Sequence, residues 1–272
     1  MKTRWILLAL LLAFFLHGAV LGVQPTSVEV PIILYHKVSQ DRGQLGDFCI
    51  TPEAFEQDLQ FLKNSEYEAV TMRQLMDFVA GDGDLPEKPI VLSFDDGYFS
   101  DYYYVFPLLL AYDIPIVSAI IGRVTDEYTA GGQEEIIYPH LTWPQMQEMA
   151  KSGLVEFQSH GYDLHHSRGG AQGAKQRRGE SEAAYANRLG EDLMRLQGRF
   201  QEMLGEVPIA FAYPFGAKSE SSDGVLKNLG FSASLTSASR KNTIVQRDGD
   251  SLFNLGRIVR PHGRALEEIL GR

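Results

Sequence analysis

Cysteine is nearly absent: Cys49 stands alone in 272 residues, so no disulfide can form within the chain. Between Phe48 and Ile50 it reads as a small buried hydrophobe rather than as a nucleophile. Positive charge is also short, with 25 basic against 35 acidic residues and a net charge of −10. That balance argues against nucleic acid as a partner. No linker-like stretch divides the chain, and no glycine-rich phosphate turn follows the first strand-like run, which disfavours an open dinucleotide-binding sheet. What remains is an ordinary apolar content of 44 % and a length that suits one large barrel or two smaller domains.

The N-terminus reads as a targeting segment. Lys2 and Arg4 precede an apolar run over residues 5–16, and apolar character resumes over 18–23. This is the layout of a secretory signal, with Val20-Leu21-Gly22 as a cleavage site before Val23. The same run is nearly long enough to span a bilayer, so an uncleaved anchor is the alternative for residues 1–23. Either way, the body of the protein, residues 24–272, is expected outside the cytoplasm, secreted or held at the outer face of the membrane.

Beyond that segment, strand-like and helix-like runs alternate. Strands are predicted over 28–35 (broken by Pro31), 67–71, 90–94, 115–121, 155–159, 209–213, 231–235 and 255–259. Helices are predicted over 52–64, 71–80, 100–112, 142–151, 181–204, 223–228 and 264–270, the first opened by Thr51 with Pro52 at the first helical position and the second capped by Thr71. Residues 122–140 and 167–180 read as polar loops, the second rich in Gly, Lys and Arg. Eight strands alternating with helices predict parallel βα units closed into a single distorted (β/α) barrel.

The polar residues that matter fall at the ends of these strands. Asp95 and Asp96 end an apolar run and are followed by Gly97. Two adjacent carboxylates repel, so a bound cation, or one carboxylate kept as a base beside it, would account for the pair. His160 follows another strand, with His165 and His166 shortly after, and His36 follows the first strand. Together they offer carboxylate and imidazole ligands for one divalent metal with a coordination position left open for chemistry. If Asp96 ligates the metal, Asp95 is free to act as general base, and His36 or His262 could serve as acid. His160 and His165 are five residues apart, which no regular helix would bring to one point. An irregular loop is required, and Gly161 permits one; His166 is the alternative to His165.

Ser93-Phe94-Asp95-Asp96-Gly97-Tyr98 resembles the first signature of the polysaccharide deacetylases, the NodB-like carbohydrate esterases of family four. Ser159-His160-Gly161-Tyr162-Asp163-Leu164-His165 is similar to their second signature, in the longer-spaced form of the branch that deacetylates poly-N-acetylglucosamine. Phe211-Ala212-Tyr213-Pro214-Phe215-Gly216 resembles the third, and Ile33-Leu34-Tyr35-His36 and Leu141-Thr142-Trp143 resemble further segments of that branch. The resemblance implies metal-dependent N-deacetylation of an N-acetylated polysaccharide. It makes Asp95 the base, His36 the acid, and Asp96, His160 and His165 the metal ligands. Tyr213, Phe215 and Trp143 would line the substrate pocket, with backbone N–H groups around Phe215 facing the oxyanion. Zinc is the first choice of ion, and cobalt or nickel suit the same donors.

Two departures stand out. Many members place an arginine in the third signature against the base, where this chain has Ala212. Arg257 or Arg260 are the candidates to replace it. The final signature is only faint within 255–262. An O-acetyl esterase and a non-catalytic carbohydrate-binding protein are the alternative functions, the second disfavoured because binding alone needs no base beside a metal.

Overall fold

The computed structural model describes residues 26–131, 139–168 and 171–271. The expected targeting segment, residues 1–23, lies outside them. No helix among the described residues is long and apolar enough to cross a membrane. The main sheet contains β1 (Ile32–Tyr35), β2 (Tyr67–Ala69), β3 (Lys88–Asp96), β4 (Ile116–Ile120), β5 (Val155–Ser159), β6 (Ala210–Ala212), β7 (Ala233–Leu235) and β8 (Ile258–Val259). Helices α1 (Pro52–Asn64), α2 (Met72–Ala80), α3 (Phe106–Tyr112), α4 (Gly122–Thr129), α5 (Trp143–Lys151), α6 (Glu182–Leu204), α7 (Ser222–Asn228) and α8 (Leu266–Leu270) cover it.

All pairings in this sheet are parallel, in the order β7-β6-β5-β4-β3-β1-β8. The two ends meet at a parallel bridge between Leu235 and Leu255, where Thr236 N–H and Leu255 N–H donate to the Leu255 and Ser234 carbonyls at 2.7 and 2.8 Å. The sheet thus curls into a distorted (β/α) barrel. Its distortion has a definite source: β2, predicted as a strand like the others, pairs only with the start of β3 and stays off the ring. Pro31 likewise splits the predicted first strand, because proline has no N–H to donate to a ladder. Ser27–Val30 pairs antiparallel with Asn242–Val245, and β1 begins after the break.

Strand alternation divides the core. Ile33, Tyr35, Leu92 and Phe94 pack outward with Phe55 and Leu59 of α1 and Met146 and Met149 of α5. Ile32, Val91, Val117, Ala119, Ala210, Ala212, Ala233 and Leu235 form a second cluster on the inner face, with Leu75 and Phe78 of α2. A ring of seven strands encloses less room than one of eight, which matches the alanines lining it. Ser93 and Asp95 share the parity of Val91 and so belong to the inner face.

The starts of α1, α2, α5 and α6 follow their sequence signals. Thr51, Thr71, Thr142 and Ser181 each accept from a backbone N–H in the first turn, and Thr71 and Thr142 form capping boxes with Gln74 and Gln145. Helix α4 occupies a stretch read from sequence as polar loop. It has no side-chain cap. Instead Gly122 and Arg123 donate to the carbonyls of Gly161 and Tyr162 at 3.1 and 2.9 Å. A cap supplied by residues some forty positions away leaves no local signal, so the helix could not be read from its own segment.

Candidate active site

The C-terminal ends of the strands open into a cavity of about 930 Å3 that contains His36, Asp95, Asp96, His160, His165, Phe215 and Arg257. This is the face on which barrel enzymes carry their active sites. Alternation alone would send the adjacent Asp95 and Asp96 to opposite faces of β3. Both reach the cavity because Asp96 leaves the extended conformation, with φ at +75°. A non-glycine residue in that region is strained by roughly 1–3 kcal/mol and has to be held there by its surroundings. His140 contributes to that hold: its Nδ1–H donates to the Asp96 carbonyl at 3.0 Å, and its ring stacks on Tyr98 with centroids 4.9 Å apart.

His160 is directed by a backbone carbonyl. Its Nδ1 lies 2.8 Å from the oxygen of Ala212, and since a carbonyl only accepts, that nitrogen carries the proton. Nε2 is left as a lone pair aimed at Asp96, 3.5 Å from Oδ1. Position 212 therefore serves the site through its main chain. Burial lowers the pKa of the His160 imidazole, outweighing the pull of Asp95 and Asp96, and favours the neutral ring that can act as a ligand.

His165 reaches the same point from a loop, with Nε2 3.3 Å from Asp96 Oδ1. Gly161 at φ +86° starts the loop, where an added Cβ would press on Leu164 at 2.9 Å. Asp192 of α6 then accepts from the N–H groups of Tyr162 and Asp163 at 2.7 and 2.8 Å, and Arg123 Nε donates to Asp163 at 2.7 Å. These bonds supply the irregular geometry that five-residue spacing demanded. His165, and not His166, joins the group.

Asp96, His160 and His165 present donor atoms all within 4.8 Å of one another. Ligands held at about 2.0–2.2 Å from a tetrahedral ion stand roughly 3.3–3.6 Å apart, the spacing found from Asp96 to both histidines. Asp96 Oδ1 is moreover buried without a hydrogen-bond partner, an arrangement that is costly unless a cation meets it. The three residues fit a divalent ion.

Arg257 lies buried immediately before β8 and grips Asp95 with both terminal nitrogens, at 2.6 and 2.8 Å. It also donates to Ser93 at 3.1 Å and, through Nε, to the Thr236 carbonyl at 2.9 Å. Burial opposes ionisation of Asp95, but Arg257, by its charge and its hydrogen bonds, helps to outweigh it and hold the carboxyl below the usual carboxylate range. Asp95 thus faces the cavity ionised and fixed in orientation. Of the two arginines considered from sequence, Arg260 serves a different end. It forms a bidentate pair with Asp58 of α1 at 2.8 and 2.9 Å, buried away from the cavity. A pair so buried is strongly destabilising to break from one side, by about 3–5 kcal/mol.

The acid candidates also separate. His36 lines the cavity, with a buried Nδ1 that has no hydrogen-bond partner and a ring 4.8 Å from that of Phe48. Burial lowers its pKa against the pull of Asp95 and Asp96. His262 is exposed and lies outside the cavity.

Two of the predicted pocket residues are placed elsewhere. Tyr213 is fully buried, its hydroxyl donating to Asp223 at 2.8 Å behind the sheet end. Trp143 is fully buried at the start of α5, its Nε1 donating to Asp126 at 2.7 Å and its ring packed on Phe200. Both are core residues with satisfied polar groups, as large aromatics at element starts usually are. Phe215 does reach the cavity, at φ +60°, with its ring 4.4 Å from that of His165. Gly216 and Ala217 spend their N–H groups on the Tyr213 and Pro214 carbonyls, which narrows an oxyanion donor from this turn to Phe215. Sequence reasoning missed Asp192 and His140, because both act on the site through backbone atoms of residues remote in the chain.

Residues 82–234 match the family model described as polysaccharide deacetylase. The matched stretch includes Asp95, Asp96, His160, His165 and Phe215, while His36 and Arg257 lie outside it. Over 217 residues the chain is 29 % identical to the poly-β-1,6-N-acetyl-D-glucosamine N-deacetylase of Escherichia coli, covering 73 % of this chain and 32 % of that protein. The chain thus spans about a third of that relative's length. A solved structure of a de-N-acetylase from Aggregatibacter actinomycetemcomitans superimposes with a TM-score of 0.76 and 27 % identity, covering 90 % of this chain and 99 % of the other. IcaB from Ammonifex degensii gives 0.69 at 29 % identity, covering 86 % and 92 %.

Proposed function

The chain belongs to the polysaccharide deacetylase family, and from that premise we propose that it removes acetyl groups from N-acetylglucosamine residues of a cell-wall glycan or exopolysaccharide, outside the cytoplasm, with a divalent metal, zinc first, held by Asp96, His160 and His165. The observation that carries the reading is the junction of two carboxylates with different surroundings in one cavity. Asp96 Oδ1 is buried, unbonded and faced by two imidazoles, while Asp95 is ionised and clamped by Arg257. Like carboxylates whose environments push their roles apart are the mark of acid–base chemistry. An ion at the first would supply Lewis-acid activation of a carbonyl and of a water nucleophile.

The chain's own groups then divide the proton work. Asp95 accepts a proton from the attacking water, and the Arg257 clamp keeps its carboxylate aimed while limiting its basicity. His36, at the end of the neighbouring strand β1, delivers a proton to the departing amine, so that water and the amide become acetate and a free amino sugar. The Phe215 N–H is the backbone group placed to face the oxyanion. Acetate release from N-acetylglucosamine oligomers should stop when the protein is stripped with chelator and return when zinc is restored. Release that persists without metal would remove the metal from the proposal, and no release with metal bound would turn attention to acetyl esters.

The acid assignment has its own check. His36→Ala should lower kcat by about 10²–10⁴-fold, the range of a lost general acid, while His262→Ala stays near wild type. The reverse pattern would move the role to His262.

A further inference from the structure

The reaction leaves one conspicuous side chain at the cavity without a role. Among the exposed large hydrophobic residues described, Phe48 at 58 % and Phe215 at 45 % exposure line the same cavity as the acid pair. Phe215 belongs to the turn that faces the reaction centre, but Phe48 touches none of the groups that move protons or meet the metal except through the edge of His36. Its position is not a product of looseness. Phe48 lies just before one of two short parallel strands, Lys37–Val38 and Cys49–Ile50. The Phe48 carbonyl accepts from Lys37 N–H at 3.1 Å, and neighbouring Gly46 is tied to Cys49 and His262 at 3.0 and 2.9 Å. A backbone held at both flanks keeps a phenyl ring facing water and forgoes the burial that would normally place it inside.

The placement of the two rings is informative. Phe48 follows β1 and Phe215 follows β6, which in the ring are separated by three strands one way and two the other. Each ring packs on a histidine of the site, Phe48 on His36 at 4.8 Å and Phe215 on His165 at 4.4 Å. The polar centre therefore sits between two exposed aromatic faces. A pyranose ring has the complementary shape: its axial C–H bonds form an apolar face, and its hydroxyls lie around the edge. The cavity, at about 930 Å3, is near the top of the roughly 300–1,000 Å3 span of small-ligand sites. It has room for more than the one sugar that loses its acetyl group.

We propose that Phe48 forms a sugar subsite next to the reaction centre, stacking on a residue of the polymer adjacent to the one being deacetylated, with Phe215 flanking the centre on the other side. The identity of the polymer rests on the deacetylase reading above; the stacking itself does not. The subsite makes the protein prefer a chain of amino sugars to the monosaccharide.

Binding of an N-acetylglucosamine oligomer, followed by calorimetry on the metal-loaded protein in the Asp95→Asn background to prevent turnover, reads the subsite directly. Adding Phe48→Ala should weaken binding about tenfold, the scale of one lost aromatic contact, and Phe48→Trp should keep or tighten it. In the active protein, Phe48→Ala should act through KM rather than kcat and shrink the advantage of the oligomer over the monosaccharide. Oligomer binding that is unchanged by Phe48→Ala, or absent both with and without that substitution, overturns the subsite. Failure of the deacetylase reading shows separately, as absence of acetate from the wild-type protein.

Discussion

Asp95→Asn should lower kcat by about 10²–10⁴-fold or more while the protein keeps its full complement of metal. The amide has nearly the shape of the carboxylate but cannot take a proton from water. Metal should stay because the ion's proposed donors are Asp96, His160 and His165, while both Asp95 oxygens are already engaged by Arg257. One complication is visible in the structure. Arg257 is 1 % exposed, and exchanging its ionic partner for an amide leaves a buried charge with weaker compensation. Some loss of thermal stability is therefore expected with the loss of rate. The measurement pairs acetate release with metal content by mass spectrometry on a variant shown by circular dichroism to be folded. Turnover near the wild-type level would remove Asp95 from the role of base.

His160→Ala should release the metal. The substitution removes one of three donors, and the remaining pair leans on a loop and a strained residue. Losing a mere outer-shell partner of a ligand costs about 10–100-fold in affinity, so losing the ligand itself should exceed that. The bond from Nδ1 to the Ala212 carbonyl disappears too, leaving a buried acceptor on β6 without its donor. Competition with a chromophoric chelator gives the affinity without reference to activity. Wild-type affinity in the variant would mean that the ion, if any, sits elsewhere.

Much of this site could be read from the chain before it was folded. The barrel was legible because apolar runs of strand length alternate with capped helices, a pattern that depends only on neighbours in sequence. So was the grouping of His36, the acid pair and the histidines: each ends a strand or lies in the segment just after one, and parallel strands deliver their C-terminal ends to one face. Cys49 as a small buried hydrophobe and Gly161 as the start of an irregular loop followed from local chemistry as well. The predicted loop at 122–140 failed in its first part for the converse reason, since α4 takes its cap from Gly161 and Tyr162 rather than from its own residues.

Long-range choices were decided only by tertiary structure. Arg257 and Arg260 are three positions apart in sequence, yet one holds the carboxylate of the cavity and the other a structural aspartate. Nothing local distinguishes them; the distinction lies in which buried carboxylate each meets, one on β3 and the other on α1. Tyr213 and Trp143 were drawn into the core because their hydroxyl and indole N–H find Asp223 and Asp126 there. Sequence by itself determined which residues could do this chemistry, through periodicity, caps and the placement of polar groups at strand ends. Tertiary structure decided which of them meet, because hydrogen bonds and ion pairs in a low-dielectric interior are set by proximity in space, over distances along the chain that no local pattern records.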